Sequence, residues 1–192
     1  MNRAAAFPLE TERLLIRPPQ LSDVLPVLEA IRETYDQLHR WMDWACSHEK
    51  GGQEKATDEH VRLGLHQWQE LQQGRPADPL PLFLFRRSDG HFLGASGFHD
   101  CVWEVPRLEI GYWLRHSEQG RGYMTEAVRA ISEVAFLQWR AQRLSIACDA
   151  SNAASQRVAE RCGFAHEARL HHHRRRVDGV LEDTLIYARY AP

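Results

Sequence analysis

Apolar positions along the chain recur at two periods, and the changes between them mark the elements. Leu14-Leu15-Ile16-Arg17 predicts a short strand that ends at Pro18-Pro19, where proline removes amide donors. Leu21-Ser22-Asp23 offers a cap, and Val24, Leu25, Val27, Leu28 and Ile31 recur at helical spacing, with Pro26 in the first turn; a helix is expected from Ser22 to about His39. The polar stretch from Ser47 to Lys55, with its Gly51-Gly52 pair, reads as a loop. A second helix is expected from Thr57, carrying Val61, Leu63, Leu65, Trp68 and Leu71 and stopped by Gly74 and Pro76.

From Leu80 the rhythm becomes that of strands. Leu80 to Arg87 and His91 to His99 flank the tight turn Ser88-Asp89-Gly90. Arg107 to Leu114 alternates Leu108, Ile110, Tyr112 and Leu114 against Glu109, Gly111 and Trp113, a strand with two distinct faces. Thr125 to Trp139 is amphipathic and helical, Arg143 to Cys148 a strand, and Ser151 to Arg161 a helix closed by Gly163. Ala168 to Val177 and Thr184 to Tyr190 make a closing hairpin across Asp178-Gly179. No repeat or linker interrupts the order, which predicts a single α/β domain over residues 1–192.

Charge narrows the function. Lys and Arg number 24 against 26 Asp and Glu, a net charge of -2, so no global positive field draws the protein to nucleic acid or an anionic membrane. The four cysteines contain no CxxC pair, which favours reduced thiols. Met1 to Phe7 is too short and broken for a signal peptide, and no run approaches the ~18 apolar residues of a membrane span. A cytoplasmic protein without membrane contact is expected.

The most informative stretch runs from Glu109 to Ala127. A strand enters a turn containing Gly120, Arg121 and Gly122 and then a helix, so amides from Gly120 to Met124 can face outward at the positive helix end. That is an anion cradle, with an ordinary strand-to-helix loop as the alternative. The pattern lacks the Lys-Ser/Thr ending of a nucleotide P-loop and the full GxGxxG of a dinucleotide fold.

Gln119-Gly120-Arg121-Gly122-Tyr123-Met124-Thr125-Glu126-Ala127, then Asn152 with Ser155, Gly163-Phe164, and the opening Leu9-Glu10-Thr11-Glu12-Arg13-Leu14-Leu15-Ile16-Arg17 occur in this order. With these pieces the chain resembles the GNAT superfamily of N-acetyltransferases, in the branch of the RimJ and RimL ribosomal-protein N-terminal acetyltransferases, over roughly residues 9–190. The resemblance implies a mixed, mostly antiparallel seven-stranded sheet with a central splay, flanked by about four helices. It implies acetyl-CoA as co-substrate and direct attack by a primary amine, which the branch supplies as a protein or peptide N-terminus, an amino acid or a small molecule. Pantetheine would pair with Trp113, Leu114 and Arg115, and pyrophosphate would sit on the loop Gln119, Gly120, Arg121, Gly122, Tyr123, Met124 and Thr125. The family signature has Gln or Arg where Ser117 stands, so Arg115 or Arg121 is expected to substitute.

Within that frame Glu109 is the candidate base, with a solvated strand-face glutamate as its plainer reading. Ser155 is the candidate donor to the departing thiolate, or only a capping serine; Asn152 is a helix cap, a ligand of the pantetheine arm, or both. Tyr123 and Tyr187 are alternative acids, Tyr123 being the better fit to packing beside the phosphate loop. Trp41 and Trp44 cluster with Met42 and read either as core or, since the resemblance places this connection over the acceptor end of the cleft, as acceptor contacts together with the loop from Ser47 to Lys55; Asp43 and Glu49 are candidate partners for a cationic amine there. In His171-His172-His173 the first and third share a strand face and no carboxylate stands at ligand spacing, so no metal site is expected. Arg174-Arg175-Arg176 lacks the interleaved aromatics of a nucleic-acid binder. The closing hairpin offers an edge for a homodimer. A non-catalytic acyl-CoA-binding sensor is the rival function, opposed by the presence of both Glu109 and Ser155.

Overall fold

The computed structural model describes residues 3–42, 52–176 and 179–191. Its strands are β1 (Leu9–Glu10), β2 (Leu14–Arg17), β3 (Leu80–Arg86), β4 (Phe92–Val102), β5 (Arg107–Leu114), β6 (Arg143–Asp149), β7 (Ala165–Arg175) and β8 (Leu181–Tyr190). They form one sheet in the order β1-β2-β3-β4-β5-β6-β8-β7. The expected sheet lacked β1, a two-residue strand that pairs Leu9 with Ile16 and is too short to show a period. The helices are α1 (Val24–Trp41), α2 (Gly52–Gln72), α3 (Tyr123–Glu133) and α4 (Ala153–Arg161).

Two helix boundaries differ by more than two residues from the sequence reading. Residues 52–55, expected in a loop, belong to α2, where Glu54 complements the positive end of the helix. The helix expected to run to Trp139 changes at Val134 into a π turn through Gln138.

Both faces of β3 are buried, which explains why Leu80 to Phe85 is apolar without alternation. Phe83 and Phe85 join Val27, Ala30 and Ile31 of α1 in one cluster, while Leu82 and Leu84 join Ala127, Val128 and Ile131 of α3 in another. Consecutive side chains point to opposite faces, so α1 and α3 lie on opposite sides of the sheet.

Strands β5 and β6 are parallel and pair only at Arg107 with Arg143, Leu108 with Leu144 and Glu109 with Ser145. Beyond Glu109 each keeps its outer neighbour: β5 stays on β4 up to Leu114, and β6 stays on β8 up to Asp149. The sheet therefore parts along its middle, as the family resemblance implies.

A polar staple holds the segment Thr11 to Arg13 against the first turn of α3 and the loop before it. The Glu126 carboxylate accepts from Thr11 Oγ1 at 2.6 Å, from the Arg13 amide at 2.9 Å and from Arg13 Nε at 2.7 Å, while Arg13 Nη1 donates to the Arg121 carbonyl at 2.9 Å. Burial opposes ionisation of Glu126, but the bonds from Thr11 and Arg13 outweigh it and lower its pKa. Stability from this group is therefore fully present above the ordinary carboxylate range and is lost as acid takes the pH down through the lowered value. Glu126→Ala should cost about 1 to 3 kcal/mol, and its melting temperature should fall less steeply with acid than that of the parent protein, as calorimetric melts across pH would show.

The histidine run departs from its expected geometry. The β7–β8 register shifts between Leu170 and Arg174, and His172 adopts a φ of 50°. His171 Nδ1 lies 3.0 Å from Asp183 Oδ2 and His173 Nδ1 lies 3.1 Å from Thr184 Oγ1, two consecutive and oppositely directed residues of β8. The two rings thus do not share a face, because the bulge resets the alternation. Among the described residues no helix is long and apolar enough to cross a membrane.

Candidate active site

The loop before α3 owes its shape to two glycines. Gly120 has φ +73° and Gly122 φ +81°, left-handed backbone that a β-branched residue adopts only under strain. Gly122 is the N-cap of α3, so the first amides of the helix emerge beside it without helical partners. The Arg121 side chain turns back, donating to the Ser117 carbonyl at 3.2 Å and pairing with Glu118 at 3.5 Å, which leaves the backbone to face the ligand side.

Next to the loop, in the gap between β5 and β6, lies a cavity of about 460 Å³. Gln119, Gly120, Gly122, Met124 and Thr125 close one end. Because the gap passes through the plane of the sheet, β5 lines it with residues of both faces, Glu109, Gly111 and Trp113 as well as Ile110, Tyr112 and Leu114. The exposed edges of the parted strands and the amide-lined loop suit a linear amide chain ending in phosphates, which is the shape of a CoA molecule.

Glu109 stands at the point of divergence, three-quarters buried, with His99 Nε2 3.8 Å from its Oε1. Across the gap, Asn152 Oδ1 accepts the Ser155 amide at 3.1 Å and so takes the capping role on α4. That frees the Ser155 hydroxyl, whose Oγ lies 2.9 Å from the Tyr112 hydroxyl; the phenol also reaches the Ser155 carbonyl at 3.2 Å. Burial pushes the Tyr112 pKa far up, with the serine bond opposing only in part, so the phenol keeps its proton throughout the neutral range. A phenol held above a thiol's ordinary range donates a hydrogen bond more readily than it gives up its proton.

Most of the sequence candidates converge on this cavity: Glu109, Trp113, Leu114, Gln119, Gly120, Gly122, Met124, Thr125, Asn152 and Ser155 all line it, and so does Trp41. Arg115 does not. It is buried, ion-paired with Glu33 at 2.9 Å and 2.6 Å from His91, and so cannot stand in for the signature residue missing at Ser117. Tyr123 is buried beneath the Arg13 guanidinium, 4.7 Å from its ring centre, which leaves only its backbone for the loop. Tyr187 is buried against Glu160 and is no acid for the cavity. Trp44, Asp43 and Glu49 lie outside the described residues.

Among the lining residues that sequence reasoning missed are Tyr112, His99, Arg157, Arg161 and Arg174. Arg157 and Arg161 are four apart on α4, a spacing that puts two cations on one helix face and was legible. Tyr112 was not, because on a strand it shares a face with Leu108 and Ile110, and only the parting of the strands opens that face to the cavity.

Comparison with known proteins agrees with this geometry. Residues 13–165 match the family model described as an acetyltransferase (GNAT) domain. The chain is 30% identical over 106 residues to the probable N-acetyltransferase YjcK of Bacillus subtilis, covering 55% of this chain and 58% of that protein, so it spans under two thirds of that relative's length. It is 25% identical to the putative ribosomal N-acetyltransferase YdaF of the same organism, over 82% of this chain and 81% of the relative. A solved structure of RimL, the ribosomal L7/L12 alpha-N-protein acetyltransferase, in complex with coenzyme A, superposes with a TM-score of 0.83 at 23% identity, covering 96% of this chain and 97% of that one, and so shares its fold. With a matching family model over most of its length, a sheet that parts beside a glycine-shaped anion loop, and the same overall fold as a coenzyme A-bound enzyme, the chain belongs to the GNAT acetyltransferase family.

Proposed function

We propose that the protein moves an acetyl group from acetyl-CoA to a primary amine by direct attack, with Glu109 as base and Ser155 as donor to the departing sulfur. The single observation that supports this most is the cavity through the sheet, which is lined both by the amide-bearing loop and by the two residues that carry the chemistry, Glu109 and Ser155. Acetyl-CoA supplies the activated thioester. The loop from Gln119 to Thr125 holds phosphate by backbone amides, and Arg157 and Arg161 add countercharge along α4. The carbon–nitrogen bond forms as the carbon–sulfur bond breaks; Glu109 takes the proton that the nitrogen must lose, directly or through a water, and Ser155 hydrogen-bonds the sulfur as its charge grows. Tyr112 positions Ser155, since the hydrogen bond between the two hydroxyls, 2.9 Å long, fixes where Oγ stands.

Acceptors are named for two relatives: ribosomal N-acetyltransferase for YdaF, and ribosomal L7/L12 for RimL. Those names support an amino group as the nucleophile. The test is calorimetry with acetyl-CoA, followed by free-thiol release with a panel of primary amines. Binding with amine-dependent thiol release supports the reading; binding without release for any amine leaves the sensor function in its place. Gly122→Val should weaken acetyl-CoA binding well over tenfold, because the β-branched side chain is strained at this φ and intrudes where the phosphate must approach. Unchanged affinity in a folded Gly122→Val protein would remove the loop from the binding site.

A further inference from the structure

A second cavity, of about 560 Å³, lies between the sheet and the helices α1 and α2. Met42, His99, Gly111, Tyr112 and Trp113 border both cavities, which therefore meet where His99 stands over Gly111. The approach is close: a Cβ on Gly111 would lie 2.9 Å from His99 Nε2, so glycine is what lets the imidazole occupy the junction. Away from the junction the walls include Val27, Ile31, Phe83, Ala95, Phe98 and Pro81.

The polar groups of this second cavity are few and mostly engaged. Ser96 Oγ donates to the Gly111 carbonyl at 3.0 Å, and Thr57 Oγ1 donates to the Gln53 carbonyl at 2.7 Å. Desolvation by the surrounding protein lowers the pKa of His60 from its ordinary value, which favours the uncharged ring. No Asp, Glu, Lys or Arg among the described residues lines the space.

We propose that this cavity holds the body of the acceptor, and that the acceptor is an arylalkylamine: a primary amine carrying an uncharged aromatic group, with its nitrogen at the His99–Glu109 junction. The proposal rests on the acetyltransferase reading above and names the substrate class for the same site. A pocket of this volume suits an aromatic, drug-sized body and far exceeds the side chain of a terminal serine or alanine. A peptide backbone or a polycation drawn into it would give up water for few partners, whereas an aromatic group gives up nothing it needs. The charged end is served elsewhere, by the carboxylate of Glu109 at the edge of the other cavity.

The experiment measures thiol release from acetyl-CoA with tryptamine and phenethylamine against a serine-initiated tetrapeptide and spermidine. Tryptamine should exceed both the peptide and spermidine at least tenfold in kcat/KM. Ala56→Trp fills the cavity from an exposed position on α2, where the substitution leaves the core intact. It should raise the KM for tryptamine at least tenfold with acetyl-CoA affinity and melting temperature unchanged. If acetyl-CoA binds but the peptide or spermidine is preferred, if another amine is acetylated and no arylalkylamine is, or if Ala56→Trp leaves tryptamine kinetics untouched, the substrate class is wrong and the acetyltransferase reading stands. Failure of acetyl-CoA itself to bind would instead overturn that reading, and the acceptor pocket with it.

Discussion

Glu109→Gln should lower kcat by about 10²- to 10⁴-fold while acetyl-CoA affinity stays nearly constant, the range that accompanies loss of a positioned general base. The substitution keeps the size and most of the hydrogen-bonding capacity of the side chain but removes its ability to take a proton. Glu109 belongs to the last residue pair that joins β5 to β6, so its backbone is fixed by the sheet even though its carboxylate faces the cavity. The low-pH limb of the kcat profile should move or vanish in the variant. His99, 3.8 Å away, provides an internal comparison. If Glu109→Gln retains near-parental turnover and His99→Gln does not, the imidazole is the base and the carboxylate only orients it.

Ser155→Ala should lower kcat and kcat/KM together by about 10²-fold, as expected when a hydrogen bond made chiefly in the transition state is removed. The helix cap does not depend on this hydroxyl, because Asn152 accepts the Ser155 amide, so the melting temperature should change little. Tyr112→Phe should cost roughly tenfold on its own and almost nothing further in the Ser155→Ala background, since the phenol acts through the serine. A double variant whose loss equals the product of the two single losses would mean that Tyr112 reaches the sulfur independently. A large fall in melting temperature for Ser155→Ala, with turnover intact, would return the serine to a structural role.

The glycine loop, Glu109, Asn152 and Ser155 were legible because their chemistry is local: a turn needs glycines, a helix start needs a cap, and strand alternation directs side chains to a face. Arg115 was misplaced because its direction is set by Glu33, a residue of α1 far away in sequence. His99 carried no signal, since its position matters only through the β4–β5 register that sets it opposite Glu109. The start of α2 at Gly52 was hidden by a glycine pair that reads locally as a loop. The bulge in the histidine run was hidden because period-2 reasoning assumes a regular ladder.

The parting of β5 from β6 also leaves the two sides of the sheet joined by little backbone pairing, though they share one apolar core. Strands β1 to β5 are neighbours in chain order on one side, β6, β8 and β7 lie on the other, and the two groups share the single short ladder that ends at Glu109. Native-state hydrogen exchange should then resolve two cooperative blocks, with the group of β6 to β8 opening at lower free energy than the larger meander. A ligand that contacts both strands across the gap fuses the blocks. At a free concentration of 1,000 Kd it adds about 4 kcal/mol to any opening that destroys its site, so substrate supply would set the lifetime of the fold as well as the rate of the reaction.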